Sequence, residues 1–431
     1  MTPTYDIAPP PSGLFTRERR PISTLVASNF ISLFSNQLTA IAVPWFVLEL
    51  TGSATRTGLT AAVTLLPSIF MAFFGGAIVD RMSARKMSVF SDILSGVTVA
   101  LVPLLYLLDR LTFPLLLLLM FLGAVFDSPG STARGTMMPR LAERARIPLE
   151  RLNSAFSVSQ AVSGLFGAVI AGVLVSALGP TNVLWLNAAA FALSASAMWL
   201  LVPELGVHPP SGESLLQDIK TGVGWLWGNG ALRTTIFAAL VINGIFSPIA
   251  AVILPYYAKT VFDSATALGI IMSGFGAGSL LGAVAYGVYG TRIKRRTQMV
   301  MSVALITLPV VGMIALPSLA VTWALQFLIG SGVGLVNPMV GTIMMKLTPP
   351  HMLGRISGVF RAGAMVASPV GVLLAGPLIA LVGLRGTFIV TSVILLGVLA
   401  AIVTNRSIHD FDKEEPGAGM PVEEPVLQAV G

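Results

Sequence analysis

Only 10% of this 431-residue chain is charged, so the ionisable side chains inside its long apolar runs can be weighed one by one. Asp127 comes first. It falls about 21 Å along a helix beginning at Phe113, counted at 1.5 Å per residue, and Pro129 and Gly130 loosen that helix just beyond it. A carboxylate taken out of water favours its neutral form, which brings proton exchange toward neutral pH. Asp127 is therefore a candidate for proton or substrate coupling. The alternative is a structural ion pair with Arg134, two turns on and on the same helix face. Asn36 and Gln37 are polar neighbours in mid-run, so one amide can face a cavity and the other bridge helices. Glu49 ends the same run, either as an interface residue reaching water or as a gate. Asp92 is expected to join Arg81 and Arg134, and Arg361 to act as an inner gate or as a snorkelling cation. Phe34, Trp45, Phe126, Phe246, Tyr256 and Trp323 could line an apolar cavity, or pack between helices and against lipid. A greasy cavity with one acidic group suits a neutral or cationic amphiphilic compound.

Other chemistries find no support. The chain has no cysteine for thiolate catalysis or metal binding, and its histidines, His208, His351 and His409, fall in loops without metal-ligand spacing. No phosphate-cradling glycine loop follows a strand, and no Ser-His-Asp set is apparent. The expectation is a protein that is not an enzyme and needs no cofactor or metal. The net charge of +7 sits in short loops, which argues against nucleic acid as a partner.

The elements that hold these residues must be membrane helices. Hydrophobic residues make up 55% of the chain, and a soluble protein usually carries about 25% charged residues. Apolar runs of about 20 residues predict spanning helices. They fall at 22–50, 57–79, 87–108, 113–138, 154–178 and 182–203, and again at 233–260, 267–290, 297–317, 320–346, 356–381 and 386–404. Between the two sets, 204–232 reads as a linker with a short amphipathic helix on the membrane surface. Residues 1–21 form an N-terminal tail, and 405–431 an acidic tail expected to be disordered. With the N-terminus inside, only Arg56, Arg110, Lys259 and Arg385 fall in outer loops. Arg81, Arg85, Lys86, Arg140, Arg144, Arg292, Lys294 and most other basic residues fall inside. An even number of spans places both termini in the cytoplasm.

The halves repeat. Pro44, Ser53-Ala54-Thr55, Gly58, Gly76, Arg81 and Arg85 recur in order as Pro255, Ser264-Ala265-Thr266, Gly269, Gly287, Arg292 and Arg296. Gly167, Gly172 and Gly179 recur as Gly371, Gly376 and Gly383. The predicted fold is an all-α membrane protein with twelve transmembrane helices in two pseudo-symmetric six-helix bundles, 22–203 and 233–404. A parallel repeat of this kind allows a site between the halves to open to one side at a time.

The loop after the second span, Gly76-Ala77-Ile78-Val79-Asp80-Arg81-Met82-Ser83-Ala84-Arg85-Lys86, resembles the signature of the major facilitator superfamily, Gly-x-x-x-Asp-Arg-x-Gly-x-Arg-Lys, with Ser83 in place of the second glycine. The glycine-rich fifth span, with Gly164, Gly167 and Gly172, resembles the family's exporter-associated signature, with Ala168 where that signature has proline. The fourth span around Asp127, together with Asn36-Gln37, is similar to the twelve-span drug and macrolide exporters. The resemblance implies a cytoplasmic latch built from Gly76, Asp80, Arg81, Arg85 and Lys86, joined by Asp92, Arg134 and Arg361. It also implies a monomeric cell-membrane transporter that exports small amphiphilic compounds against protons, with lipid as its surroundings. Facilitated uptake or symport, and a non-transporting receptor or lipid-handling protein on the same scaffold, remain alternatives.

Overall fold

The computed structural model describes residues 20–81, 83–204, 215–228, 230–290, 292–348 and 353–404. The tails predicted at either end, apart from Arg20 and Pro21, lie outside the described residues, as does the linker segment 205–214. The described residues are helical and joined by tight turns, with no strand among them. This is what hydrocarbon requires, because a spanning segment there must satisfy its own backbone. In the first half the helices are α1 (Arg20–Thr51), α2 (Ala54–Arg81), α3 (Ala84–Leu107), α4 (Phe113–Arg144), α5 (Leu149–Leu178) and α6 (Pro180–Leu201). The short α7 (Leu215–Gly228) follows, where the amphipathic linker helix was expected. The second half comprises α8 (Gly230–Pro248), α9 (Leu254–Tyr257), α10 (Ala265–Tyr289), α11 (Arg295–Gly312), α12 (Leu319–Leu347), α13 (Leu353–Met365) and α14 (Ala367–Thr404).

Among the described residues, ten helical stretches are long and apolar enough to cross a membrane. One of them, Ile356–Thr404, runs for 49 residues. It is broken at Gly383, whose φ of 70° and ψ of 177° turn the chain where an L side chain would be strained. Large apolar side chains such as Leu107, Leu200 and Leu381 point outward and are exposed, as a lipid-facing belt requires.

Two local features depart from the sequence expectation. The span predicted as one helix over 233–260 contains two wide π turns, Ile249–Ile253 and Ala258–Phe262, on either side of α9. Pro248 and Pro255 cause the irregularity, since neither has an N–H to give the preceding turn. At the α2–α3 turn, Ser83 adopts an extended φ of −63° and ψ of 139°, and its hydroxyl caps α3 by accepting from the Lys86 N–H. The turn therefore needs no glycine at this position.

α1 packs against α5 and α6, α3 against α4 and α6, and α2 against α4. In the second half, α10 packs on α12, α11 on α12 and α14, and α8 on α13 and α14. Two seams join the halves. Along α5 and α10, a Cβ placed on Gly172 would stand 3.1 Å from the Gly269 Cα, and one on Gly276 would stand 2.7 Å from the Gly164 carbonyl oxygen. Along α2 and α14, a Cβ on Gly58 would meet the Val372 carbonyl oxygen at 2.8 Å, and one on Gly376 the Ala54 carbonyl oxygen at 2.6 Å. Such backbone-to-backbone contact is how helices associate where lipid removes any hydrophobic drive. At the α5–α10 seam, the Ser176 hydroxyl oxygen accepts hydrogen bonds of 2.8 Å from the Thr266 hydroxyl and 2.9 Å from the Thr266 N–H.

These seams are tight enough to test. The chain lacks native cysteine, so Ala265→Cys, buried beside Gly172, should react slowly with a maleimide in the purified protein. Adding Gly172→Leu should raise that rate on the order of tenfold, since overpacking costs about 1–3 kcal/mol and about 1.4 kcal/mol is tenfold. An unchanged rate would show that the seam does not govern access.

Candidate functional site

A cavity of about 480 Å³ lies at the centre of the first half, walled by α1, α2, α3 and α4 and closed by Ser247, Ala250, Ala251 and Met272 of the second. Asp127 is on its wall and accepts a hydrogen bond of 3.3 Å from the Asn36 side-chain amide. Thr57, Thr60 and Thr64 of α2 and Thr98 of α3 also face it. Each of these four hydroxyls donates to a carbonyl of its own helix, respectively Ser53, Arg56, Ala61 and Leu94. With their protons committed to the backbone, they turn lone pairs toward the cavity. A cavity that presents one carboxylate and several hydroxyl acceptors attracts donors and cations, and the apolar remainder of the wall suits hydrocarbon.

A second lobe of about 650 Å³ adjoins the first and shares Ser247, Ala250 and Met272 with it. It runs between α5 and α10. The neighbours Asn36 and Gln37 thus serve different lobes.

Arg134 is not Asp127's partner. Its guanidinium pairs with Asp92 at 3.1 Å, both side chains only 2% exposed. Arg134 also donates to Ser32 at 2.7 Å and Ser88 at 3.4 Å, while Ser194 donates to the other Asp92 oxygen at 2.7 Å. One neutralised pair therefore ties α1, α3, α4 and α6 together. Desolvating either ion alone would be very costly, and the shared hydrogen bonds offset that cost.

The signature loop closes, as far as it is described, within the first half. Arg85 lies 4.7 Å over the Trp199 ring and donates to the Val202 carbonyl at 3.0 Å. Lys86 pairs with Glu204 at 3.0 Å. Hydrogen bonds from Lys86, and then from Ser83, hold the Glu204 carboxyl below its usual range. These contacts fasten the start of α3 to the end of α6. The side chains of Gly76, Asp80, Arg81, Phe126 and Arg361 lie outside the described residues.

Among the described aromatic candidates, Phe246 lines the second lobe. The others pack between helices, where their large planes gain most from burial. Trp45 is buried, donates to Glu49 at 2.8 Å, and has the Lys259 ammonium 4.9 Å above its ring. Glu49 is thereby tied to Trp45, and Trp45 to the second half. Trp323 stacks on Phe327 and donates to Ser273 at 3.3 Å. Phe34 stacks on Phe30 and abuts Gly167, and Tyr256 is half-buried against the core. Sequence reasoning missed the hydroxyl row of the wall. Its signal was present: Thr57, Thr60 and Thr64 recur at helical spacing on one face of an apolar run.

The buried pair makes a direct prediction. Asp92→Asn or Arg134→Leu alone should cost about 3–5 kcal/mol by stranding the other ion, seen as a lowered unfolding temperature in detergent. Asp92→Asn combined with Arg134→Leu should be less damaging than the sum of the two. Additive losses would show that the two groups do not depend on each other.

The family model of the Major Facilitator Superfamily matches residues 25–263 and 236–428. The multidrug efflux pump Tap of Mycolicibacterium fortuitum is 33% identical over 90% of this chain and 96% of its own length. Tap of Mycobacterium tuberculosis is 32% identical over 86% and 90%. Macrolide efflux protein A of Streptococcus pyogenes is 19% identical over 90% and 96%. Two solved structures share the fold at low identity. The nucleoside transporter NupG aligns at a TM-score of 0.74 and 12% identity, over 89% of this chain and 99% of that one. An inward-facing, unoccupied bacterial homologue of the human lysosomal transporter Spinster aligns at 0.71 and 13%, over 94% and 100%. Matched by the family model through both of its halves, the chain belongs to the major facilitator superfamily.

Proposed function

We propose that this protein exports small amphiphilic compounds, cationic ones foremost, across the cell membrane in exchange for protons. The observation that carries the reading is Asp127, a carboxylate with one amide partner on the wall of a cavity that four threonine hydroxyls also line. Such a group holds either a proton or a cationic substrate. Competition for one carboxylate is the simplest physical basis for antiport, because each ligand must leave before the other binds. The relatives named as multidrug and macrolide efflux pumps support the outward direction.

The scaffold in this proposal is twelve spans in two bundles, 22–203 and 233–404, joined by the 204–232 linker, acting as a monomer with both termini in the cytoplasm. Ile356–Thr404 then crosses twice, turning at Gly383, and α2, at 28 residues, crosses once. In this orientation the ends of α1 and α5 face outward. The contacts of Gly172 with Gly269, Gly376 with Ala54, and Lys259 with Trp45 then form an outer closure, with the cavity open to the cytoplasm. Alternating access needs the glycine seams to part and the inner ends to approach, a rigid-body exchange between two packings.

In proteoliposomes with an imposed pH gradient, Asp127→Asn should reduce gradient-driven ethidium transport about tenfold or more, corresponding to at least about 1.4 kcal/mol of lost coupling. Asp127→Glu should retain part of the flux. Full gradient-driven flux in Asp127→Asn would remove the coupling role.

A further inference from the structure

We infer that the second lobe is an uncharged hydrogen-bonding subsite, in which Gln37, Gln160 and Gln326 hold the carbonyl- or hydroxyl-bearing end of an elongated organic cation whose charged end lies at Asp127. The inference rests on the export reading and assigns the part of the substrate that Asp127 cannot recognise.

The three glutamines come from α1, α5 and α12 and line one lobe, and no charged side chain is among the described residues of its wall. None has a hydrogen-bond partner among the described residues, although Gln326 is only 2% exposed. Gln298 shows how this chain uses a glutamine structurally: its amide donates to the Ile293 carbonyl at 2.8 Å and to that of Gly290. Three amides border one space, and none is spent on a structural bond of the kind Gln298 makes. Their donors and acceptors are therefore open to a ligand that enters the lobe. A glutamine side chain both donates and accepts, so the matching groups are hydroxyls, carbonyls and amides rather than ions. Phe246 and Phe275 supply the apolar part of the same wall.

The two lobes share Ser247, Ala250 and Met272, and the proposal seats one elongated molecule across these residues. The arrangement divides recognition by chemistry: Asp127 takes the cation, and the amides take the neutral polar end. Gln37 and Gln160 belong to the first half and Gln326 to the second, so such a ligand would touch both.

Two probes separate the lobes. Tetraphenylphosphonium is a cation without hydrogen-bonding groups, while erythromycin carries an amine together with many hydroxyls and carbonyls. Binding of each to the full-length protein in nanodiscs is measured for the wild type and for Gln37→Leu/Gln160→Leu/Gln326→Leu. The expected result is a fall of about tenfold in the ratio of erythromycin to tetraphenylphosphonium affinity, because a site built to hydrogen-bond discriminates strongly for that bond. Should the triple variant fail to fold, Gln160→Leu, at an exposed wall position, should still shift the ratio in the same direction. An unchanged ratio, whether both affinities hold or both fall together, overturns the assignment. A wild type that binds neither probe overturns the assignment and the export reading together. Full gradient-driven flux in Asp127→Asn sinks only the coupling, since the affinity ratio is read without any gradient.

Discussion

Hydrocarbon cannot solvate a charge or a bare peptide group, and that constraint accounts for most of this structure. It makes the chain helical and forces helices to associate through close backbone contact. It also sorts the ionisable residues. Arg85, Lys86 and Glu204 collect at the helix ends, where cation–π contact and ion pairing occur beside water. Asp92 and Arg134 are fully buried and cancel each other with three serines in attendance. Asp127 is the exception. It has a single amide partner at 3.3 Å and a cavity in front of it. A carboxylate left so incompletely satisfied, a few turns from a closely paired Asp92 and Arg134, is where a mobile ligand has most to offer.

The same constraint shapes the joints. Where α5 meets α10 and α2 meets α14, glycines bring backbones together with no large side chain interposed. Close-packed surfaces of this kind are bistable rather than deformable, so under the export reading the halves would exchange contacts as bodies. Rigidity within each half is supplied differently. Asp92 and Arg134 lock four helices of the first half, while Gly274, Gly278 and Gly282 of α10 lie against the α12 backbone in the second.

Much of this was legible in the sequence, because burial in lipid imposes a simple code. The apolar runs, the mid-run depth of Asp127 and Asn36, and the short amphipathic helix within the 204–232 linker follow from run length and period alone. Partnership was legible only in part. Asp92 was expected beside Arg134 and takes its guanidinium, whereas the alternative pairing of Arg134 with Asp127 along one face of α4 does not form. Helical spacing specifies a face but not which neighbour covers it. For the aromatics, lining the cavity and packing between helices were both open on sequence; Trp45 and Trp323 pack between helices, where their size gains most from burial. The small threonines that do line the cavity looked unremarkable, since a hydroxyl bonded to its own helix costs nothing in an apolar run.

The two halves repeat in sequence but not in chemistry. The first carries Asp92, Arg134 and Asp127. The second contributes two π turns, Lys259 over Trp45, and Gln326. Under the export reading, a change at Asp127 must therefore be felt by a half with no comparable carboxylate on the cavity wall. A short series of contacts leads there. Asp127 bonds Asn36, and the next residue, Gln37, packs its stem against Gly167 of α5. Gly167 lies between Gly164 and Gly172, the residues that meet Gly276 and Gly269 of α10. Adjacency alone does not transmit energy, and coupling requires an element with two arrangements that both ends bias. The α5–α10 seam fits that description. Its glycines permit one tightly docked state, and the Asn36–Gln37 segment of α1 touches both the carboxylate and the seam. Placing the titratable group in one half and its consequence at the boundary lets a single protonation alter the balance between docked and parted halves without a second charge to compensate.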